Sequence, residues 1–163
     1  MHMNSLPKDT VALHEVMPQI KAQLAAGGQF ALSFNGISMR PMLEPGRDTV
    51  EFSPLPKRLK KYDLPLYQRE DGQYVMHRIV RVDEAYGCMG DRQFELEYPV
   101  RHDQMIAVMT AFVRKGKRYS ASDWRYRMYC RVWHATRPIR RLFRSGSAWL
   151  KLRYNRMFGN KKP

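Results

Sequence analysis

The first regular pattern along the chain is helical. Apolar side chains recur at three- and four-residue spacing, at Leu13, Val16, Met17, Ile20 and Leu24. Asp9 or Thr10 is a candidate N-cap, and Gly27-Gly28 is a stop signal of the kind that ends helices. Pro18 either kinks this helix or starts its second part. The pattern predicts an N-terminal helix.

Short strand-like runs follow the helix. Apolar and polar residues alternate, or β-branched and aromatic residues cluster, in residues 30–34, 49–53, 63–67, 74–82 and 105–113. Gly and Pro residues separate these runs. Several short strands with one preceding helix predict a mainly β body, of the α+β class.

Helical spacing returns after residue 123. One apolar set is Trp124, Met128, Val132 and Ala135. Pro138 marks a break, after which Ile139, Leu142 and Phe143 continue on a short second piece. A third piece after Gly146 carries Leu150, Tyr154, Met157 and Phe158. We expect C-terminal amphipathic helices.

Charge divides the chain of 163 residues, whose net charge is +14, into two parts. Residues 1–113 carry 13 Lys and Arg against 14 Asp and Glu, whereas residues 114–163 carry 16 against Asp123 alone. We therefore predict a domain over 1–113 and a basic helical tail over 114–163, with the boundary near Arg114 to Lys117. Such a tail suits an anionic membrane surface or, less well, a nucleic-acid backbone, unless its apolar faces pack on the body.

Location and cofactors are constrained mainly by what the sequence lacks. No run of about 20 apolar residues is present, as a membrane-spanning helix requires. Charged residues interrupt the first 30 positions, unlike a secretory signal. The two cysteines, Cys88 and Cys130, suggest neither a metal site nor a disulfide framework. We expect a cytoplasmic protein, free or peripheral to the inner membrane face, with no metal or organic cofactor.

Candidate chemistry lies in three residues. Ser38 precedes His77 by thirty-nine positions, and Asp91 follows in a Gly-Asp pair. A serine hydroxyl is a weak nucleophile at neutral pH, so it needs a base such as imidazole to take its proton. A carboxylate can then orient that imidazole. Asp103 competes with Asp91 for this role.

The surroundings of these residues resemble the signal peptidase I / S24-S26 serine peptidase superfamily. The nucleophile segment reads Gly36-Ile37-Ser38-Met39-Arg40-Pro41-Met42-Leu43, similar to the Ser-Met-x-Pro box of that superfamily. The base segment reads Tyr74-Val75-Met76-His77-Arg78-Ile79-Val80, with His where bacterial signal peptidases carry Lys. Residues 45–50 and 59–67 resemble the strands between these boxes. Gly90-Asp91-Arg92 matches the Gly-Asp-Asn box at two of three positions. The resemblance covers about residues 30 to 113.

This resemblance implies a signal-peptidase-like β body and a Ser-His endopeptidase without a transmembrane anchor. Ser38 would attack the scissile bond, His77 would act as base, and Asp91 would orient His77. The backbone at Ser38 and Met39 would bind the oxyanion and substrate, because Gly36 stands where many relatives carry a hydroxyl. The substrate would be an extended peptide or precursor segment with small side chains beside the cut.

Two other functions compete with this one. The chain is a non-catalytic binding module on a peptidase fold if its basic tail is the working surface. A self-cleaving regulator is the least favoured, because a clear N-terminal helix-turn-helix is missing. The intact Ser38 and His77 favour the peptidase.

Overall fold

The computed structural model describes residues 10–143. Its elements in chain order are α1 (Thr10–Ala25), β1 (Phe30–Ser33), β2 (Thr49–Ser53), β3 (Pro65–Gln68), β4 (Tyr74–Met76), β5 (Arg78–Val82), β6 (Tyr86–Met89), β7 (Glu97–Val100), a 3-10 turn (His102–Gln104), β8 (Met105–Arg114), β9 (Lys117–Ser120) and α2 (Trp124–Ala135). The predicted mainly β, α+β class is confirmed: a curled half-barrel sheet is accompanied by an N-terminal helix and C-terminal helices.

The N-terminal helix forms where the apolar spacing predicts it. Met17, Ile20 and Leu24 of α1 are buried in the main core. Pro18 lies inside the helix rather than at its end. Gly27 adopts a φ of 77°, the left-handed conformation that ends helices, and its amide donates to the Leu24 carbonyl.

A six-stranded antiparallel sheet forms the larger layer. The strand order is β1-β2-β8-β3-β4, and β9 pairs with β8 as a hairpin. The ten-residue β8 is the central strand and is bordered by β2 and β3. Alternate side chains of β8, such as Ala107, Met109 and Ala111, are buried. β4 is at the end of the strand order and pairs with β3.

A smaller sheet contains β5, β6 and β7, all antiparallel. The predicted single strand over 74–82 is therefore wrong: β4 belongs to the larger sheet and β5 to the smaller one. His77 is the residue between them. The strand divides at His77 because the fully buried side chain of Arg78 contacts neighbours that the residues of β4 do not contact.

The C-terminal part is joined to the body. β9 pairs with β8 from Ala111 to Arg114, so the predicted domain boundary near 114–117 falls within a hairpin. Asp123 caps α2 by accepting from the Arg125 amide at 2.8 Å, and Tyr126 and Cys130 bury one face of the helix. Residues 137–143 are also helical, as predicted after the break. The third predicted piece, after Gly146, lies outside the described residues.

No helix within residues 10–143 is both long and apolar enough to cross a membrane.

Candidate active site

Ser38 lies in the turn-rich segment between β1 and β2. The side chains of Met39, Met42 and Leu43 enter the main core and fix this segment, while Ser38 itself is half-buried. The Leu43 amide donates to the Met39 carbonyl at 3.0 Å, which closes a helical turn directly after Ser38. Because Met39 and Met42 are anchored in the core, Ser38 is held at the surface of the core.

The Gly90-Asp91-Arg92 segment contacts the backbone of Ser38. The Arg92 amide donates to the Ser38 carbonyl oxygen at 2.8 Å. A Cβ atom on Gly90 would lie 2.8 Å from that oxygen and 3.0 Å from the Ser38 Cβ. Glycine is therefore required at position 90 by the close approach of the two segments.

His77 is buried at the junction of the two sheets, with 3% of its surface exposed. Its Nδ1 lies 3.3 Å from Oε2 of Glu97 and 3.3 Å from the Tyr67 hydroxyl. These contacts use one ring nitrogen and fix the orientation of the imidazole. The carboxylate that orients His77 in this structure is that of Glu97.

Glu97 is held by two further donors. The Tyr67 hydroxyl donates to its Oε2 at 2.6 Å, and Arg69 Nη2 donates to the same oxygen at 2.9 Å. Burial disfavours the charge of Glu97, but hydrogen bonds from His77, Arg69 and Tyr67 outweigh it and hold the pKa of the carboxyl well below its usual range. Burial and the bond to Glu97 raise the pKa of Tyr67, so the phenol keeps its proton. Glu97 is thus an ionised hydrogen-bond acceptor beside His77.

Ser38 and His77 line the same cavity, of about 480 Å³. Apolar side chains from α1, β1 and β3 form much of its wall, including Leu13, Leu32 and Leu66. β4 contributes all three of its residues, and Gln93 also lines the cavity. The predicted nucleophile and base are therefore brought together at a cavity large enough for peptide side chains.

The expected contact between Asp91 and His77 is not formed. Asp91 makes a bidentate ion pair with Arg78, at 2.8 Å for each bond, and both side chains are fully buried. Burial disfavours ionisation of Asp91, but the Arg78 guanidinium keeps the pKa of the carboxyl below its usual value. Asp103 is exposed and pairs with Arg101, so it does not contact His77 either.

Helix α2 completes the Arg78–Asp91 cluster. Arg78 Nη1 donates to the Tyr126 hydroxyl at 2.7 Å and to Cys130 Sγ at 3.0 Å. Trp133 Nε1 donates to the Asp91 carbonyl oxygen at 2.8 Å. Since Gly90 and Arg92 on either side contact Ser38, α2 braces the segment that supports Ser38.

The sequence pattern did not indicate Glu97, Tyr67 and Arg69 as site residues. The strands β6 and β7 were also not predicted, and it is β7 that carries Glu97 next to the sheet junction. The one local signal is that Tyr67, near the end of β3, and Arg69, directly after the strand, lie two positions apart, as side chains on one side of an extended chain do. Nothing near Glu97 in the sequence indicates its pairing with them.

Comparisons with protein-family models, with curated proteins and with solved structures found no match to this chain. The resemblance to the S24/S26 peptidases rests on the residues quoted above.

Proposed function

We propose that this protein is a serine endopeptidase in which Ser38 is the nucleophile, His77 the general base and Glu97 the carboxylate that orients His77. The observation that carries the proposal is the shared cavity of Ser38 and His77, with Nδ1 of His77 bound to ionised Glu97. The S24/S26-like segments around Ser38 and His77 support it independently.

The hydrogen bonds define the tautomer of His77. Glu97 is an acceptor and already receives bonds from Tyr67 and Arg69, so Nδ1 of His77 must supply the proton for its contact. Nε2 then carries a lone pair. That nitrogen is the one able to accept the Ser38 proton.

The reaction follows from this arrangement. Ser38 Oγ attacks the peptide carbonyl while His77 takes its proton, and His77 then returns the proton to the leaving amine. Water, deprotonated by His77, hydrolyses the acyl-enzyme and regenerates Ser38. Glu97 stabilises the imidazolium that forms in each half of the cycle. Backbone amides at Ser38 and Met39 are the oxyanion donors in this proposal.

The proposed substrate is an extended peptide segment. β4 ends the strand order of its sheet, and its three residues line the cavity directly before His77. An extended peptide can pair with a sheet edge through its main chain while its side chains enter the cavity. We place the enzyme in the cytoplasm, where such a peptide would be a precursor segment.

Labelling by a fluorophosphonate probe tests this function. We expect the full-length protein to form a covalent adduct whose mass and peptide map place it on Ser38, and Ser38→Ala to form none. Ser33→Ala is a matched control, because Ser33 lines the same cavity but is not the proposed nucleophile. A folded wild type without labelling would contradict the proposal and favour the binding module.

A further inference from the structure

Exposed apolar side chains are concentrated in the C-terminal helical region. Nine large apolar side chains of the described residues are exposed, and six of them lie between positions 124 and 143. On α2 they are Trp124, Met128 and Val132, with exposures of 68%, 47% and 52%. Their spacing of four residues places them in one row, which we call the outer face of α2.

The opposite face of α2 is already committed to the body. Tyr126 and Cys130 are buried there against Arg78, and Trp133 is bonded to Asp91. The helix cannot rotate to bury its outer face without breaking these contacts. Ile139 and Phe143, exposed by 58% and 74%, extend the apolar surface along residues 137–143.

Basic side chains flank the outer face. Arg125 lies on one side of the row on a helical projection, and Arg127 and Arg131 lie on the other. Arg127 and Arg131 also line a groove of about 680 Å³ together with Lys60 and Lys61. Among the described residues that line this groove, Asp63 is the one carboxylate, and the sequence of residues 124–163 contains no Asp or Glu.

Charge and shape together select the occupant of this surface. A second copy of the chain would oppose one strongly basic face to another, and residues 144–163 carry six Lys and Arg and no acid, so either contact adds like charge. A nucleic acid would match the arginines but would leave the row of Trp124, Met128 and Val132 against a hydrophilic backbone. An anionic lipid bilayer satisfies both parts, because headgroups pair with the arginines while the apolar row enters the acyl boundary.

We propose that the outer face of α2, with its flanking arginines, is a docking surface for anionic membranes. The helix lies in the plane of the interface and holds the peptidase body at the lipid surface. The proposal is independent of catalysis at Ser38.

Vesicle binding by the full-length protein tests the proposal. We expect co-sedimentation with vesicles of phosphatidylcholine and phosphatidylglycerol, and much weaker binding to phosphatidylcholine alone. The double variant Met128→Ser/Val132→Ser should reduce the partition coefficient by at least about tenfold, because burying the exposed half of the two apolar side chains together contributes about a factor of ten or more. Leu96→Ser, at an exposed apolar site in the smaller sheet region, is the matched control and should bind as wild type does.

A second variant separates charge from apolar contact. Arg125→Gln/Arg131→Gln should weaken binding to the anionic vesicles and reduce its dependence on salt. Both double variants change exposed positions, and unaltered thermal unfolding would verify their fold. The proposal is overturned by equal binding to the two kinds of vesicle, or by full binding of Met128→Ser/Val132→Ser. It is also overturned if the wild type binds duplex DNA but no vesicles. A wild-type dimer that dissociates in the Met128→Ser/Val132→Ser variant would overturn it as well.

Discussion

Two clusters of polar side chains begin at the adjacent residues His77 and Arg78 and differ in almost every physical respect. His77 lines a cavity and its partner Glu97 is partly exposed, whereas Arg78 and Asp91 are completely enclosed. In the proposed mechanism, the first cluster leaves one imidazole nitrogen of His77 for proton transfer. The second satisfies a fixed guanidinium with a carboxylate, a phenol and a thiol.

In the proposed mechanism, one short segment serves both catalysis, through His77, and the architecture of the core, through Arg78. Successive side chains of an extended chain point to opposite sides, so His77 faces the cavity while Arg78 enters the core beneath α2. A group that must change protonation needs access to substrate. A permanently charged group in the core needs complete compensation. The clusters should therefore respond differently to substitution.

The largest effect should come from the proposed nucleophile and base. Ser38→Ala or His77→Gln should lower kcat/KM for a susceptible peptide by about 10⁴-fold or more, because either change removes the nucleophilic pathway. Thermal unfolding of Ser38→Ala should match wild type within about 1 kcal/mol, since the hydroxyl is half-buried at a cavity. Unchanged turnover in either variant would refute the assignment.

Glu97→Gln should come next. An amide at this position preserves the shape but no longer stabilises the imidazolium, and it can select the wrong tautomer of His77, so we expect kcat to fall about 10³- to 10⁴-fold. Steady-state kinetics should show the loss in kcat more than in KM. If Glu97→Gln retains full activity while Asp91→Asn loses it without unfolding, the orienting role belongs to Asp91.

Asp91→Asn should act on stability. Removing one partner leaves the Arg78 charge buried and incompletely paired, at a cost of about 3–5 kcal/mol in the free energy of unfolding. Urea unfolding followed by circular dichroism measures this cost. Asp103→Asn is the control: its carboxylate is exposed and pairs only at the surface, so its effect should stay below about 1 kcal/mol.

Acid should weaken both clusters, and we expect the loss in the free energy of unfolding to be smaller than that caused by Asp91→Asn. The pKa values of Glu97 and Asp91 are lowered by folding, so each contributes stability that is fully present above the unfolded value of about 4 and is lost as pH falls towards the folded value. The free energy of unfolding should decline below about pH 4, and Glu97→Gln should show a shallower decline. Identical slopes for the two proteins from pH 5 to pH 2 would contradict the native pairing of Glu97.

The smallest predicted effect concerns Gly36. A Cβ at this position would meet no atom within 4 Å, so a hydroxyl side chain can be accommodated where many relatives of the resembled superfamily carry one. Gly36→Ser should raise kcat a few-fold by adding an oxyanion donor that is not fully pre-organised. Gly36→Ala separates the hydroxyl from the added bulk. An equal effect of both substitutions would exclude the oxyanion explanation.

The sequence by itself determined the local elements and singled out Ser38 and His77 as candidates. Periodic apolar residues predicted α1 and most strands of the larger sheet, because local spacing records which face is buried. The segments around Ser38 and His77 identified candidates that the fold brings to one cavity. These inferences depend on residues close together in the chain.

Tertiary structure decided which side chains pair with His77, Arg78 and Asp91. Glu97 reaches His77 only because β7 pairs with β6 beside the sheet junction, and Asp91 is unavailable because Arg78 binds it. Likewise, α2 has apolar residues on both sides, and spacing alone favoured Trp124, Met128 and Val132 as its apolar face. The body instead buries Tyr126 and Cys130, since these supply the polar atoms that the enclosed Arg78 requires. These pairings join segments that are distant in the sequence, because a buried charge needs partners wherever the fold places them. No local sequence pattern encodes such partners.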